Sequence, residues 1–100
     1  MLDINNEQPP EEFLLPFLDE FVQRRHQELE ELRDANASSD FPVVKKIAHN
    51  WAGVSAPYGF GALADVARDL ERLAEEQNGA QISELIGEIK TYLEKKQSQI

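Results

Sequence analysis

The stretch Phe41–Glu76, "FPVVKKIAHNWAGVSAPYGFGALADVARDLERLAEE", holds two runs of apolar residues at helical spacing, separated by a short break. In the first run Phe41, Val44, Ala48, Trp51 and Ser55 step by three and four, as one face of a helix does. Pro42 falls in the first turn, where its missing N–H costs nothing, and Ser39 or Asp40 can cap the helix start. Pro57 and Gly59 stop this run. In the second run Leu63, Val66, Ala67, Leu70, Leu73 and Ala74 form a heptad-like seam, and "QNG" after it places Gly79 as a C-terminal cap.

The flanking sequence repeats the pattern. Pro9-Pro10 opens an upstream helix, with Glu11 and Glu12 at the positive end of its dipole. Leu14, Phe17, Leu18, Phe21, Val22, Leu29 and Leu32 then recur through about Ala35, and Pro16 is early enough to be tolerated or to start the regular part. A last helix runs from about Gln81 to Gln97 with Ile82, Leu85, Ile86, Ile89 and Leu93 inward. No stretch alternates with period two. The reading is an all-α fold, an antiparallel up-down four-helix bundle spanning residues 11–97, because short loops make sequential helices antiparallel neighbours. Residues 1–10 read as a flexible leader with little to bury, and "KKQSQI" at the other end as a frayed terminus.

Composition limits the function. The 100 residues make one modest core, and 41% apolar residues are an ordinary globular share. Nineteen acidic against ten basic residues leave a net charge of −9, which disfavours nucleic acid and anionic membranes as partners. With no cysteine there is no disulfide, thiolate metal site or cysteine nucleophile. No segment reads as a membrane span or a signal peptide, so the cytoplasm is the expected location. Met1 and the short leader favour a free-standing protein over a piece of a larger kinase.

The chemistry centres on His49. Taking ~100° per residue, it lies roughly 115° from the centre of the inward face, so it is expected in solvent. Its helix neighbours are Lys45 and Lys46 on one side and Ala52 and Gly53 on the other, with Ala56 one turn on. A glycine inside a helix costs about 1 kcal/mol relative to alanine, so close approach by another backbone is the expected reason for Gly53. That backbone belongs either to a neighbouring helix or to a partner. An exposed imidazole is largely neutral and nucleophilic at neutral pH, and its ring nitrogen can attack a phosphoryl group beside lysines that favour the charged product.

Other constellations are weaker. His26 lies outside the apolar arc of its helix and reads as a surface residue, and two separate histidines without a fixed carboxylate make no metal site. The carboxylates of "HQELEELRDA" read as a solvated face. Trp51 fits the core, where its indole N–H needs a partner that the sequence does not identify. Tyr58 and Phe60 at the central break are either core plugs or part of an apolar docking patch beside His49.

These residues resemble the histidine-containing phosphotransfer (HPt) domain of bacterial multistep phosphorelays. The family's motif is an alanine-histidine pair, an apolar residue, a lysine and a glycine, with a second glycine six residues on. Here it reads Ala48-His49, Trp51, Ala52, Gly53 and Gly59, with Asp40 at the helix start and "LADVARDLE" following. The resemblance covers roughly Phe13 to Leu93. It implies a four-helix phosphocarrier, not an autonomous enzyme, whose His49 accepts a phosphoryl group from a receiver-domain aspartate and passes it to another. It implies response-regulator receivers and a hybrid histidine kinase as partners of a monomer. It also implies no cofactor of its own, since the receiver supplies Mg²⁺.

Gly53 then clears a docking surface that includes Ala52, Ala56, Tyr58, Gly59 and Phe60. Ala52 departs from the family, which usually has lysine there to hold the phosphoryl oxygens. Lys45 and Lys46 can reach that space from the other side, so neutralising both is expected to slow transfer more than neutralising Lys95 and Lys96. The same departure supports an alternative, a degenerate relative that docks receivers without carrying phosphate.

Overall fold

In the first helix, the proline at position 16 decides where regular α-structure begins. In the computed structural model, which describes residues 2–100, Glu12–Phe17 forms 3₁₀ turns around Pro16, and α1 follows as Leu18–Ala37. Three residues per turn put side chains out of phase with a 3.6-residue stripe. Phe17, expected inward, is therefore 51% exposed, and Phe13 and Leu15 are exposed with it.

Helix α2 spans Phe41–Val54, α3 spans Gly61–Glu75, and α4 spans Gly79–Ser98. The described residues are all-helical, with four α-helices and no strand. Helix α1 packs on α2 and α4, and α3 packs on the same two, so the apolar stripes converge on one core. Trp51, Leu29, Leu32, Leu70, Ile89 and Leu93 are among the fully buried side chains. Each such side chain contributes about 1.5–3 kcal/mol through removal from water. The inward residues expected for α2, α3 and α4 are buried, apart from partly exposed Phe41.

Three terminal features depart from expectation. Gly79 does not cap α3; it is the first residue of α4, whose N-cap is Asn78, the side chain accepting from the Gln81 N–H. Helix α3 instead closes with Gln77 in the left-handed region (φ 55°) and the Asn78 N–H donating to the Leu73 carbonyl. Asn78 serves both ends, because its short amide satisfies an orphan donor that glycine cannot.

The N-terminal segment also buries a charge. Leu2 and Ile4 rest against the core, and the Glu7 side chain is only 4% exposed. Its carboxylate accepts from the Ala62 N–H at the start of α3, from the Tyr92 hydroxyl and from Lys96 Nζ at 2.8 Å. Lys96 donates further to the Gly59 carbonyl and lies over the Phe60 ring. The chain end around Lys96 is thus anchored where fraying was expected, since a buried carboxylate requires partners.

Gly59 has its own reason. Its φ is +87°, and a Cβ there would stand 2.8 Å from Pro10 Cδ and 2.9 Å from the Pro10 nitrogen. Only glycine fits a left-handed corner pressed by another backbone.

Candidate functional site: an exposed histidine on the α2–α3 seam

The polar flank of α2 meets α3 through two contacts. Lys45 Nζ lies 2.8 Å from Glu75 Oε1, and His49 Nδ1 lies 3.0 Å from Glu71 Oε2. The His49 side chain is 80% exposed while Glu71 is 22% exposed, so the carboxylate is held and the ring projects outward. An ionised carboxylate only accepts, so in the neutral ring Nδ1 carries the proton and the lone pair is left on Nε2. Among the described residues Nε2 has no hydrogen-bond partner. The ring is therefore oriented at one nitrogen and available at the other.

The lysines are not equivalent. Lys45 is engaged by Glu75, whose hydrogen bond and charge raise its pKa and lower that of Glu75. Lys46 is exposed and forms no ion pair with a described residue. Ala52 is half-buried against the core edge, and Gly53 and Ala56 are exposed. A Cβ at Gly53 would meet nothing within 4 Å. Close packing of α2 on α3 therefore does not explain this glycine.

Of the two readings of Phe60 the structure bears out the core plug, and Gly59, expected on the docking surface, is interior as well. Phe60 is 1% exposed, with its ring edge-on to Phe21 and Tyr92, and Gly59 is buried under Pro10. Both belong to the interior of the α2–α3 corner, because the aromatic cluster there shields Phe60 from water. Tyr58 is half-buried, stacked on Phe21 at 4.1 Å between ring centroids. It borders a groove between α1 and α2 whose walls include Phe17, Arg24, Asn50 and Val54.

Behind the seam, Trp51 finds its partner on α1: the indole N–H donates to Glu28 Oε1 at 2.8 Å. Arg25, 5% exposed, is ion-paired to the same oxygen at 2.7 Å. Burial lowers the Arg25 pKa, and Glu28 opposes that shift. Glu28, expected on a solvated face, thus holds the helix that carries His49. His26 also departs from the surface reading: it is half-buried, and its Nε2 is shielded without a partner. Among the described residues, no three histidine or acidic side chains converge as metal ligands.

Sequence reading missed Glu71. The available signal was the spacing itself: Lys45 and His49 are four apart on α2, and Glu71 and Glu75 are four apart on α3.

An oriented imidazole with one ring nitrogen open on an exposed helix face suits a group carrier that meets its reactant on another protein's surface. The family agrees: the model of the Hpt domain matches residues 16–99, and the chain belongs to that family. Hpt domains perform histidine phosphotransfer in phosphorelays as phosphocarriers and interact with receiver domains and histidine kinases. No curated protein and no solved structure matches the chain significantly. No helix among the described residues is long and apolar enough to cross a membrane.

Proposed function

We propose that this chain is a phosphohistidine carrier that moves phosphoryl groups between receiver domains through His49 Nε2. The observation that carries the reading is the exposed ring with Nδ1 held by Glu71 at 3.0 Å. Nε2 attacks the phosphorus of a receiver's aspartyl phosphate. The N–P bond forms as the P–O bond breaks, and the aspartate leaves as a carboxylate with the bonding pair. No proton has to move, because Nδ1–H stays directed at Glu71 while the ring becomes a phosphorylated imidazolium. The carboxylate of a second receiver reverses the step, and the bonding pair returns to Nε2. Such transfer depends on positioning and charge stabilisation.

Docking falls on the face cleared by Ala52, Gly53 and Ala56, with Tyr58 and the exposed Phe17 offering apolar surface along the neighbouring groove. Lys46, which forms no ion pair with a described residue, has its charge available to favour the phosphorylated state more than Lys45. The receiver brings the Mg²⁺, and a hybrid histidine kinase feeds the relay. The carrier works as a cytoplasmic monomer and as an up-down bundle. In its support, residue numbers rise on α2 as they fall on α3 across the two seam contacts, as in antiparallel helices.

Ala52 favours a second reading, a module that docks receivers without taking phosphate. The deciding assay mixes the chain with phosphorylated receivers and Mg²⁺ and follows intact mass under non-acidic conditions. A phosphoryl gain in wild type but not in His49→Gln supports the carrier. Receiver binding without any gain supports the docking module.

A further inference from the structure

The two seam contacts set a register between α2 and α3. Four residues forward from Lys45 to His49 are answered by four residues back from Glu75 to Glu71. The next step on the same α2 stripe is three residues, to Ala52, and three residues back from Glu71 is Arg68. Arg68 thus stands across the seam from the position that lacks a cation. The room is there: Ala52 carries only a methyl, and the space at Gly53 is open to 4 Å.

Arg68 is free to use that room. Its side chain is 63% exposed and, among the described residues, paired only with Asp65 at 3.0 Å, itself 82% exposed, besides a 3.5 Å contact to the Ala64 carbonyl. Exposed pairs of this kind hold a side chain weakly. A phosphoryl group on Nε2 would add negative charge at the outer edge of a seam that already carries Glu71 and Glu75, and a nearby cation would offset it. Lys45 faces Glu75 at 2.8 Å in a pair less exposed than that of Arg68, and Lys46 leaves α2 ~100° further round, away from the seam. A guanidinium also matches phosphoryl oxygens in a bidentate way that an ammonium does not.

We propose that Arg68 turns from Asp65 to hold the phosphoryl oxygens on His49, supplying from α3 the positive charge that Ala52 does not supply from α2. This deepens the carrier reading and rests on it.

The test phosphorylates the intact chain with phosphoramidate. Its P–N bond breaks, ammonia leaves with the bonding pair, and the new N–P bond forms at the imidazole. The phosphoryl resonance is then titrated by ³¹P NMR in wild type, Arg68→Gln, Arg68→Lys and Lys46→Gln, with His49→Gln as the site control. The charged groups to be weighed at the α2–α3 seam are Lys45, Lys46, Glu71, Glu75 and Arg68, with Asp65 beside Arg68. Loss of a contacting cation raises the phosphoryl titration midpoint, so Arg68→Gln should shift it upward by about one unit. Arg68→Lys should recover part of the shift, Lys46→Gln should move it less, and added salt should shrink every difference.

An unmoved midpoint in Arg68→Gln, or a larger shift in Lys46→Gln, overturns the assignment while leaving the carrier reading intact. A wild type that gains no more phosphoryl than His49→Gln overturns both.

Discussion

His49 Nδ1 and Glu71 Oε2 lie 3.0 Å apart across the seam between α2 and α3, joining residues 22 positions apart in the chain. The contact turns an ordinary exposed histidine into one with a defined tautomer and direction. Its energy is modest at that exposure, so its value lies in orientation.

Glu71→Ala should leave the fold unchanged and slow phosphotransfer. A hydrogen bond to a charged group is worth about 1.5–3 kcal/mol, and exposure of the ring reduces that to about 1 kcal/mol or less. The expected loss is therefore about two- to fivefold in the rate of transfer from a phosphorylated receiver, read by rapid-quench sampling. A rate equal to wild type would show that ring orientation does not limit the step.

Gly53→Ala should separate stability from docking. Nothing lies within 4 Å of the added Cβ, so the substitution gains helix propensity without a clash. Gly53 sits in the last turn of α2, which limits the gain to about 0.5 kcal/mol, or a melting temperature higher by a few degrees. Receiver affinity, measured by calorimetry, should fall for Gly53→Ala and further for Gly53→Gln. Unchanged affinity for both would remove Gly53 from the docking face.

Glu28→Ala should be among the costly changes outside the apolar core. It strands the Trp51 indole N–H and the Arg25 guanidinium together. Breaking a largely buried pair and leaving a donor unsatisfied costs about 2–3 kcal/mol. Urea unfolding should show the midpoint lowered with the slope retained. Glu30→Ala, whose partner Arg33 is exposed, serves as the control and should change stability by about 0.5 kcal/mol or less.

Tyr92 should make the protein sensitive to alkali. Burial pushes its phenol pKa up, and the hydrogen bond to the Glu7 carboxylate acts in the same direction. The folded state therefore keeps this proton after the unfolded chain has begun to lose it at a pKa of about 10. Stability falls with pH wherever the unfolded state binds fewer protons, so the Tyr92 contribution is complete below pH ~10 and declines above it. The stability difference between wild type and Tyr92→Phe, followed by chemical denaturation, should narrow from pH 9 to pH 11. A constant difference would mean that the phenol is not held protonated.

Helix positions were legible because a 3.6-residue period is local. The inward stripes of α2, α3 and α4 and the outward position of His49 follow from spacing alone. The misplacements have two kinds of cause, one local and one tertiary. Phe17 moved outward because 3₁₀ turns around Pro16 changed the period, and Gly79 moved into α4 because Asn78 competed for the cap. Phe60 and Gly59 moved inward because Pro10 and Lys96, far away in sequence, close over the corner. Glu7, Glu28 and Lys96 read as surface charges until partners from other helices were known. A charged residue carries no mark in the sequence of whether it meets water or a buried donor.

By itself, the sequence determined that the chain is helical, that Trp51 is buried and His49 exposed, and that small residues flank the histidine. These depend on periodicity and side-chain size, which act within one helix turn. Tertiary structure alone decided that Glu71 meets His49 at Nδ1 and that Glu75 occupies Lys45. Those relations depend on how α3 is set against α2, a balance of packing over the whole core that no local pattern encodes.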